Sequence, residues 1–222
     1  MAGRIRIGVS GWRYPPWRGN FYPAGLAQAR ELQFAARAFN SIELNGSFYS
    51  LQRPSSYACW ARETPPGFVF AVKGGRYITH MLKLRNARTA LANFLASGLL
   101  ELRDKLGPIL WQFPPRMKFN PEVFEEFFHL LPRTATQAAL LAREHDRRLQ
   151  GRVALEAALE QPLRHAANGR QPRDARLISG EPPLSRASRD VYCYFDNTDK
   201  LHAPDNAREL MQRLGVRWHP AG

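Results

Sequence analysis

The sequence predicts an α/β fold organised around a parallel sheet. Short apolar segments of strand-like composition alternate with longer segments in which apolar residues recur at helical spacing. Most connections between them are short, and this alternation is the pattern of parallel α/β folds. With 222 residues, of which 44% are hydrophobic, the chain can bury one large core. We therefore predict a single domain over residues 1–222.

Five segments are predicted to be strands. The first, IRIGV, alternates in side-chain character and runs into a Ser-Gly loop. Most of the later ones are dense in Val, Ile, Phe or Tyr, which pack well on a pleated sheet. In chain order the five are residues 5–9, 41–44, 68–73, 109–113 and 190–195.

Six segments are predicted to be helices, namely residues 28–39, 55–62, 88–106, 120–131, 135–149 and 204–214. Gly107 is expected to end the third. The fourth begins at NPE, which joins an N-cap side chain, a proline in the first turn and an acid beside the helix dipole. Phe124, Phe127 and Phe128 mark its buried face. We interpret residues 134–151 as a helical insertion.

The charge of the chain favours anionic partners. The net charge is +13, the isoelectric point is near 10.5, and 27 of the 32 basic residues are arginine. The planar guanidinium group of arginine binds phosphate through several N–H donors at once. The basic residues are scattered along the chain, however, as on any solvated arginine-rich surface. We therefore expect an anionic small-molecule ligand, and weak nonspecific association with nucleic acids at low salt.

The hydropathy of the sequence argues against a membrane-spanning segment. The sequence contains no run of about 18 apolar residues, so no membrane-spanning helix is expected. The segment after Met1 has neither the apolar core nor the small-residue cleavage site of a signal peptide. A cytoplasmic location is therefore predicted.

Polar side chains follow several of the predicted strands. In parallel folds the loops at the carboxyl ends of strands face one common crevice, where ligands bind. Glu43 and Asn45 are two residues apart, hence on the same face of the second strand. The catalytic candidates are Glu43, Lys73 and His80. The substrate-binding candidates are Trp12, Tyr14, Asn45, Tyr49, Gln112 and Asn197.

These residue types suit chemistry on an anion. Lys73 would neutralise the charge, Glu43 or His80 would act as acid or base, and the aromatic side chains would stack on a ring. A Schiff base on Lys73 is a variant of this mechanism. The spacing of Glu43, His80 and Asp196 matches no standard ligand motif, so no metal is predicted, and the cofactor is unknown.

Each candidate also has a purely structural interpretation. Glu43 would pair with Lys73 in a buried ion pair, and His80 would cap a helix or bond a backbone carbonyl. Trp12, Tyr14 and Tyr49 would pack in the core. Several such side chains gathered at one end of several strands carry more weight than any single one.

Five segments resemble successive motifs of the domain of unknown function 72 family, the YecE-like proteins. They are GVSGWRYPPWRGNFYP, FNSIELNGSFYSL, FVFAVKGGRYITH, KLGPILWQFPP and VYCYFDNTDKLHAPDNA. The resemblance covers residues 4 to about 165 and about 173 to 215. It implies a TIM-type barrel with an open top face. It does not indicate a particular reaction, since the family has no settled activity. The matching candidate positions are Trp12, Glu43, Asn45, Tyr49, Lys73, His80, Gln112 and Asn197.

One segment departs from the family pattern. Members follow Pro-Leu-Arg-His-Ala with a strand like Leu-Glu-Val-Arg-His, and later with one like Tyr-Val-Arg-Leu-His-Gly. Here PLRHA is followed by ANGR, and neither strand occurs. We predict an internal deletion near residues 166–172, within an irregular junction over residues 157–189. The barrel would then be incomplete, lacking about three central βα units. Its open edges would favour association with another chain.

Three functions are consistent with these features. The first is descent from an enzyme acting on a small anionic or phosphorylated substrate at the carboxyl ends of the strands. The second is a non-catalytic protein that binds a ligand or nucleic acid. The third is an inactive, truncated family member. Whether this chain is itself an enzyme is left open by its sequence.

Overall fold

The computed structural model describes residues 3–146, 148, 190–196 and 201–220. Five strands of these residues form one sheet, namely β1 (Ile5–Ser10), β2 (Ser41–Leu44), β3 (Val69–Lys73), β4 (Leu106–Leu110) and β5 (Val191–Phe195). Their α-helices are α1 (Glu31–Ala38), α2 (Gly46–Tyr49), α3 (Pro54–Glu63), α4 (Arg88–Ala96), α5 (Pro121–Leu130), α6 (Ala135–Ala142) and α7 (Ala203–Arg213). The predicted α/β class is confirmed.

The sheet is parallel and curls into a half-barrel. Its strand order is β4-β3-β2-β1-β5, so that the last strand in the chain pairs with the first. Ile5 lies opposite Val191, and Gly8 is in register with both Ser41 and Tyr194. Within the described residues, β4 and β5 are therefore the two edges of the sheet.

The two faces of the sheet differ in chemistry. Apolar side chains that are fully buried form one face, and these are Ile7, Val9, Ile42, Phe70 and Val72. Helix α7 packs against β1 and β5. Because side chains alternate along a strand, the neighbouring positions point to the other face. That face carries Ser10, Ser41, Glu43, Lys73 and Tyr194.

The loop after β1 is part of the core. Trp17 and Tyr22 are buried, and the Tyr22 hydroxyl donates a hydrogen bond of 2.6 Å to the carbonyl of Trp12. Phe21 stacks on Phe39 with 5.6 Å between ring centroids. These aromatic side chains hold the loop in one conformation at the carboxyl end of the sheet.

The prediction of a single helix over residues 88–106 is wrong. Helix α4 ends at Ala96, and Gly98 has a φ of 103°, which breaks the helix. A Cβ at Gly98 would lie 2.4 Å from the Cα of Pro54, so only glycine permits this approach to α3. Two short 3₁₀ turns follow over Leu99–Lys105, separated by a kink at Arg103, whose φ is 52°. Gly107 belongs to β4 rather than ending a helix, and β4 starts three residues earlier than the predicted 109.

Other elements are close to their predicted bounds. The Asn120 side chain accepts a hydrogen bond of 3.1 Å from the Val123 amide, which confirms the predicted N-cap of α5. Phe128, however, is 40% exposed rather than buried. Helix α6 ends at Ala142, seven residues before the predicted end. Residues 147 and 149–151 of the predicted insertion, and the whole junction over residues 157–189, lie outside the described residues.

No helix in the part of the chain that the structure describes is long and apolar enough to cross a bilayer.

Candidate functional site

A buried serine–carboxylate pair lies where β1 and β2 end. Ser10 and Glu43 are neighbours in register, and the Ser10 hydroxyl donates a hydrogen bond to Oε2 of Glu43. Only 6% of Glu43 is exposed, and its Oε1 is buried without a hydrogen-bond partner among the described residues. A carboxylate is costly to bury unless its oxygens are paired. The described surroundings therefore satisfy only one side of this carboxyl group.

A tight turn after β1 fixes the pair. The Gly11 amide donates a 2.8 Å hydrogen bond to the Glu43 carbonyl, and the Tyr14 hydroxyl donates a 2.6 Å bond to the Ser10 carbonyl. Gly11 has a φ of 76°, and a Cβ there would lie 2.6 Å from the Tyr14 hydroxyl oxygen. Tyr14 thus holds the backbone that carries Ser10. Beyond β2, the buried Oδ1 of Asn45 has no partner among the described residues.

Lys73 lies at the carboxyl end of β3. Ala71 is in register with Glu43, so Lys73, two residues further, is on the same face of the sheet. Its Nζ lies 4.9 Å from the centroid of the Phe48 ring. In the described ranges Lys73 forms no ion pair, so the predicted alternative of a Glu43–Lys73 pair is not formed. The Ser47 hydroxyl donates a 2.7 Å hydrogen bond to the Lys73 carbonyl, which ties α2 to β3.

His80 lies in a π-helical turn, Tyr77–Met81, that follows β3. The hydroxyl of the buried Thr79 and Nδ1 of His80 are hydrogen-bonded at 2.9 Å. The imidazole meets the Phe48 ring edge to face, with 5.2 Å between centroids. Phe48 thus contacts both Lys73 and His80, and it brings two of the three predicted catalytic residues to one ring.

Tyr49 is the outermost member of this group. It is 65% exposed, and the guanidinium carbon of Arg76 lies 5.6 Å from its ring centroid. The Phe48 and Tyr49 rings are 5.0 Å apart and nearly perpendicular. Tyr49 is therefore an exposed aromatic ring next to Arg76, and it contacts the Phe48 ring that Lys73 approaches.

The segment after His80 has an unusual backbone. Lys83, Leu84 and Asn86 have φ angles of 50°, 71° and 50°, in the left-handed region that favours glycine. Leu84 is nevertheless buried, so the core fixes this conformation. Such residues cost about 1–3 kcal/mol each and cluster at functional sites.

The geometry at the ends of β1, β2 and β3 comes from segments that match a known family. The family model described as "Protein of unknown function DUF72" matches residues 6–165. The chain belongs to the DUF72 family. The matched residues include Ser10, Glu43, Lys73 and His80, so the family assignment covers the described site.

Two curated relatives of this DUF72 protein carry UPF0759 names. UPF0759 protein YunF of Bacillus subtilis is 30% identical over 275 residues, and the match covers 96% of this chain and 96% of YunF. UPF0759 protein YecE of Escherichia coli K12 is 25% identical over 187 residues, which are 84% of this chain. That match spans only 65% of the length of YecE.

Two solved DUF72 structures are similar in fold. A DUF72 family protein of Thermotoga maritima is 25% identical, has a TM-score of 0.64, and is matched over 96% of this chain and 99% of its own. A DUF72 family protein of Enterococcus faecalis is 15% identical, with a TM-score of 0.56 over 97% and 99% of the two chains.

The remaining predicted ligand-binding residues of this DUF72 protein are placed differently. Trp12 is buried and meets Trp60 edge to face at 5.4 Å, so it packs in the core. Gln112 is exposed, two residues beyond the end of β4. Asn197 lies outside the described residues.

Sequence reasoning missed two residues of the polar face in this DUF72 protein. Ser10 binds Glu43 directly, and its place at the end of the first strand was the available signal. Tyr194, on β5, is hydrogen-bonded to Ser41 at 2.5 Å. The Ser41 hydroxyl donates to the Val69 carbonyl at 2.7 Å, so the Tyr194 hydroxyl is the donor to Ser41. Burial, and to a smaller extent Glu43, raises the pKa of Tyr194.

The described residues of this DUF72 protein contain no group of three or more His, Cys, Asp or Glu side chains arranged to hold a metal ion. Glu43, His80 and Asp196 therefore do not form one. The buried Glu43 carboxyl group and Lys73 lie on one face of the sheet, and Lys73 and the His80 imidazole contact the same ring. Groups of these types suit proton transfer beside an anion.

Proposed function

We propose that this DUF72 protein derives from an enzyme that acts on a small anionic or phosphorylated substrate at the carboxyl ends of its strands. The observation that carries the proposal is the half-satisfied carboxyl group of Glu43. Ser10 orients one oxygen, while Oε1 is buried without a described partner. A carboxyl group held in this way suits the role of general acid or base.

Lys73 supplies the positive charge in this proposal. It lies on the same face of the sheet as Glu43, and no carboxylate among the described residues neutralises it. A preorganised cation in a partly desolvated site stabilises an anion better than one in water. His80, held by Thr79 and Phe48, is the second proton-transfer group.

Calorimetric titration with ribose 5-phosphate tests the anion site. We expect Lys73→Met to weaken binding at least about tenfold, because one charge-assisted contact is lost. Lys118→Met is the matched control, since Lys118 is exposed and the charge change is identical. Equal binding by the two variants would overturn the assignment of Lys73.

Phosphorus and proton NMR of phosphorylated metabolites incubated with the protein tests the chemistry. Glu43→Gln is expected to abolish any turnover while ribose 5-phosphate still binds. Glu126→Gln, on the exposed face of α5, is its control. Turnover that survives in Glu43→Gln would remove Glu43 from the mechanism.

We also propose that the sheet is part of a TIM-type barrel that lacks about three βα units. Two observations support this. The strand order places β5 beside β1 and leaves β4 at the far edge, as an interrupted barrel would. The match to YunF extends over 275 positions, more than the 222 residues of this chain, and covers 96% of both.

The missing units favour a second candidate function, an inactive family member. A shortened barrel would also lack the side chains that the missing strands would place at the carboxyl-end face. Grafting the additional YunF segment between residues 166 and 173 tests this, with a Gly/Ser linker of equal length as control. We expect only the YunF graft to raise the melting temperature and strengthen ribose 5-phosphate binding. No gain over the linker would contradict the deletion.

A further inference from the structure

Three aromatic side chains lie in the segments that follow β2 and β3, close in sequence to the residues of the proposed anion site. We call Phe48, Tyr49 and Tyr77 the aromatic rim. Tyr49 is 65% exposed and Tyr77 is 53% exposed, and they follow the ends of the adjacent strands β2 and β3. Large aromatic side chains that stay in solvent next to polar groups mark surfaces that bind a ligand or partner.

A cationic side chain lies close to each of two adjacent rings of the aromatic rim. Lys73 Nζ lies 4.9 Å from the Phe48 centroid, and the Arg76 guanidinium carbon lies 5.6 Å from the Tyr49 centroid. Tyr49 therefore offers a flat apolar surface within a short distance of a guanidinium, which binds phosphate with two parallel hydrogen bonds. The complementary ligand has a flat ring and a phosphate.

The backbone around the rim supports a binding role. Tyr77 belongs to a π-helical turn, a conformation that is rare and is frequent at functional sites. Three non-glycine residues with left-handed backbone follow within six residues of that turn. The core buries Ile78 and Leu84 from this segment, yet leaves Tyr77 and Met81 in solvent.

We propose that the aromatic rim binds the heteroaromatic base of a mononucleotide, whose phosphate is neutralised by Lys73 and Arg76. The proposal rests on the proposed function, because it takes Lys73 as the anion-binding residue. It narrows the substrate from any small anion to a nucleotide. Every nucleobase has a π-face, so stacking on Tyr49 or Tyr77 favours this ligand without selecting one base.

A sugar phosphate and a nucleotide differ in their use of these residues. Ribose 5-phosphate contacts the cations only, whereas adenosine 5′-monophosphate contacts the cations and the rim. Stacking of one base on an aromatic side chain strengthens binding about tenfold or more. Adenosine, which lacks the phosphate, should bind more weakly than the monophosphate.

Calorimetric titration of the whole chain with these three compounds tests the inference. The wild type should bind adenosine 5′-monophosphate about tenfold more tightly than ribose 5-phosphate. Tyr49→Ala should reduce this ratio to near one, while Tyr49→Phe should keep it, because the ring is retained. Lys73→Met should weaken both phosphates and leave adenosine unchanged.

The outcomes separate this inference from the proposed function. If ribose 5-phosphate binds through Lys73 but the monophosphate binds no more tightly, the nucleotide inference is overturned and the anion site stands. If neither ribose 5-phosphate nor adenosine 5′-monophosphate binds, both the nucleotide inference and the proposed function are overturned. If a five-nucleotide single strand binds through Tyr49 at least a hundredfold more tightly than the monophosphate, the ligand is a nucleic-acid strand rather than a free nucleotide.

Discussion

Tyr194 of β5 donates a 2.5 Å hydrogen bond to Ser41 of β2, across the intervening strand β1. The position between them is Gly8, which is in register with both residues. Because Gly8 has no side chain, the Tyr194 ring can cross β1. This bond joins residues that are 153 positions apart in the sequence, and it lies on the same face of the sheet as Glu43.

Replacement of Gly8 should weaken the sheet. A Cβ at Gly8 would lie 1.8 Å from the Ser41 carbonyl oxygen, so β1 and β2 would have to move apart. We expect Gly8→Ala to lower the free energy of unfolding by about 3 kcal/mol. Gly75→Ala is the control, since its Cβ would meet only the Ser47 carbonyl at 3.8 Å. Equal urea midpoints for the two variants would contradict this account.

Removal of the Tyr194 hydroxyl should have a smaller effect. Tyr194→Phe keeps the ring, and Ser41 keeps its bond to the Val69 carbonyl. We expect a loss of about 1 kcal/mol in the free energy of unfolding, as for one buried hydrogen bond. Tyr77→Phe, at an exposed position, should change it by less than about 0.5 kcal/mol. A loss in Tyr77→Phe as large as in Tyr194→Phe would show that the hydroxyl bond is not responsible.

Buried tyrosines should make the protein sensitive to alkali. Burial raises the pKa of Tyr57 to about 12, and it also raises the pKa values of Tyr22 and Tyr194. In the unfolded chain a tyrosine ionises near pH 10, as a free side chain does. Above about pH 10 the unfolded state loses protons that the folded state keeps, so stability is present below that pH and declines above it.

Urea unfolding at pH 8, 10 and 11 measures this decline. Each such tyrosine should lower the free energy of unfolding by up to about 1.4 kcal/mol per pH unit above about pH 10. Tyrosinate absorbance in the native state should appear late in the titration. A constant unfolding free energy between pH 8 and 11 would contradict the prediction.

Two buried glutamates should respond in opposite ways to the same substitution. Glu31 forms an ion pair with Arg18 at 2.8 Å, whereas Glu43 has only the hydroxyl of Ser10 among the described residues. We expect Glu31→Gln to lower the free energy of unfolding by about 1 kcal/mol, since the Arg18 side chain is 44% exposed and regains water when the pair is lost. Glu43→Gln should leave it unchanged or raise it, because a buried charge is removed.

Thermal unfolding of both glutamate variants checks this pair. A residue kept for a ligand rather than for stability can be neutralised at little cost to the fold. A melting temperature that falls further in Glu43→Gln than in Glu31→Gln would indicate that Glu43 is a structural residue.

Most strands, and the side chains that follow them, could be predicted from local pattern. Glu43 and Lys73 were expected at the carboxyl ends of their strands, and the register places them on one face of the sheet. The helix break at Gly98 had a local signal, since a glycine with left-handed backbone commonly ends a helix. The close approach to Pro54 that requires this glycine is more than forty residues away in the sequence, and no local pattern reports it.

The partners of the site residues were also beyond the sequence. Hydroxyl groups such as those of Ser10 and Tyr14 are common in sequences. Only the turn at Gly11 brings the Tyr14 hydroxyl to the Ser10 carbonyl, while the Ser10 hydroxyl bonds to Glu43. The left-handed residues Lys83 and Leu84 belong to types that seldom adopt this conformation, so no sequence signal marks them.

Strand β5 pairs with β1 on the side opposite β2, and it lies near the other end of the sequence. Ile5 pairs with Val191, and the Arg4 amide donates a 2.7 Å hydrogen bond to Asp190. A ribosome must therefore translate some 190 codons before the first strand made can acquire its second neighbour. At elongation rates of about 5–20 residues per second that interval is on the order of ten seconds or more. During it the nascent β1–β2–β3 layer presents an unpaired backbone to chaperones, and to other nascent chains on the same message.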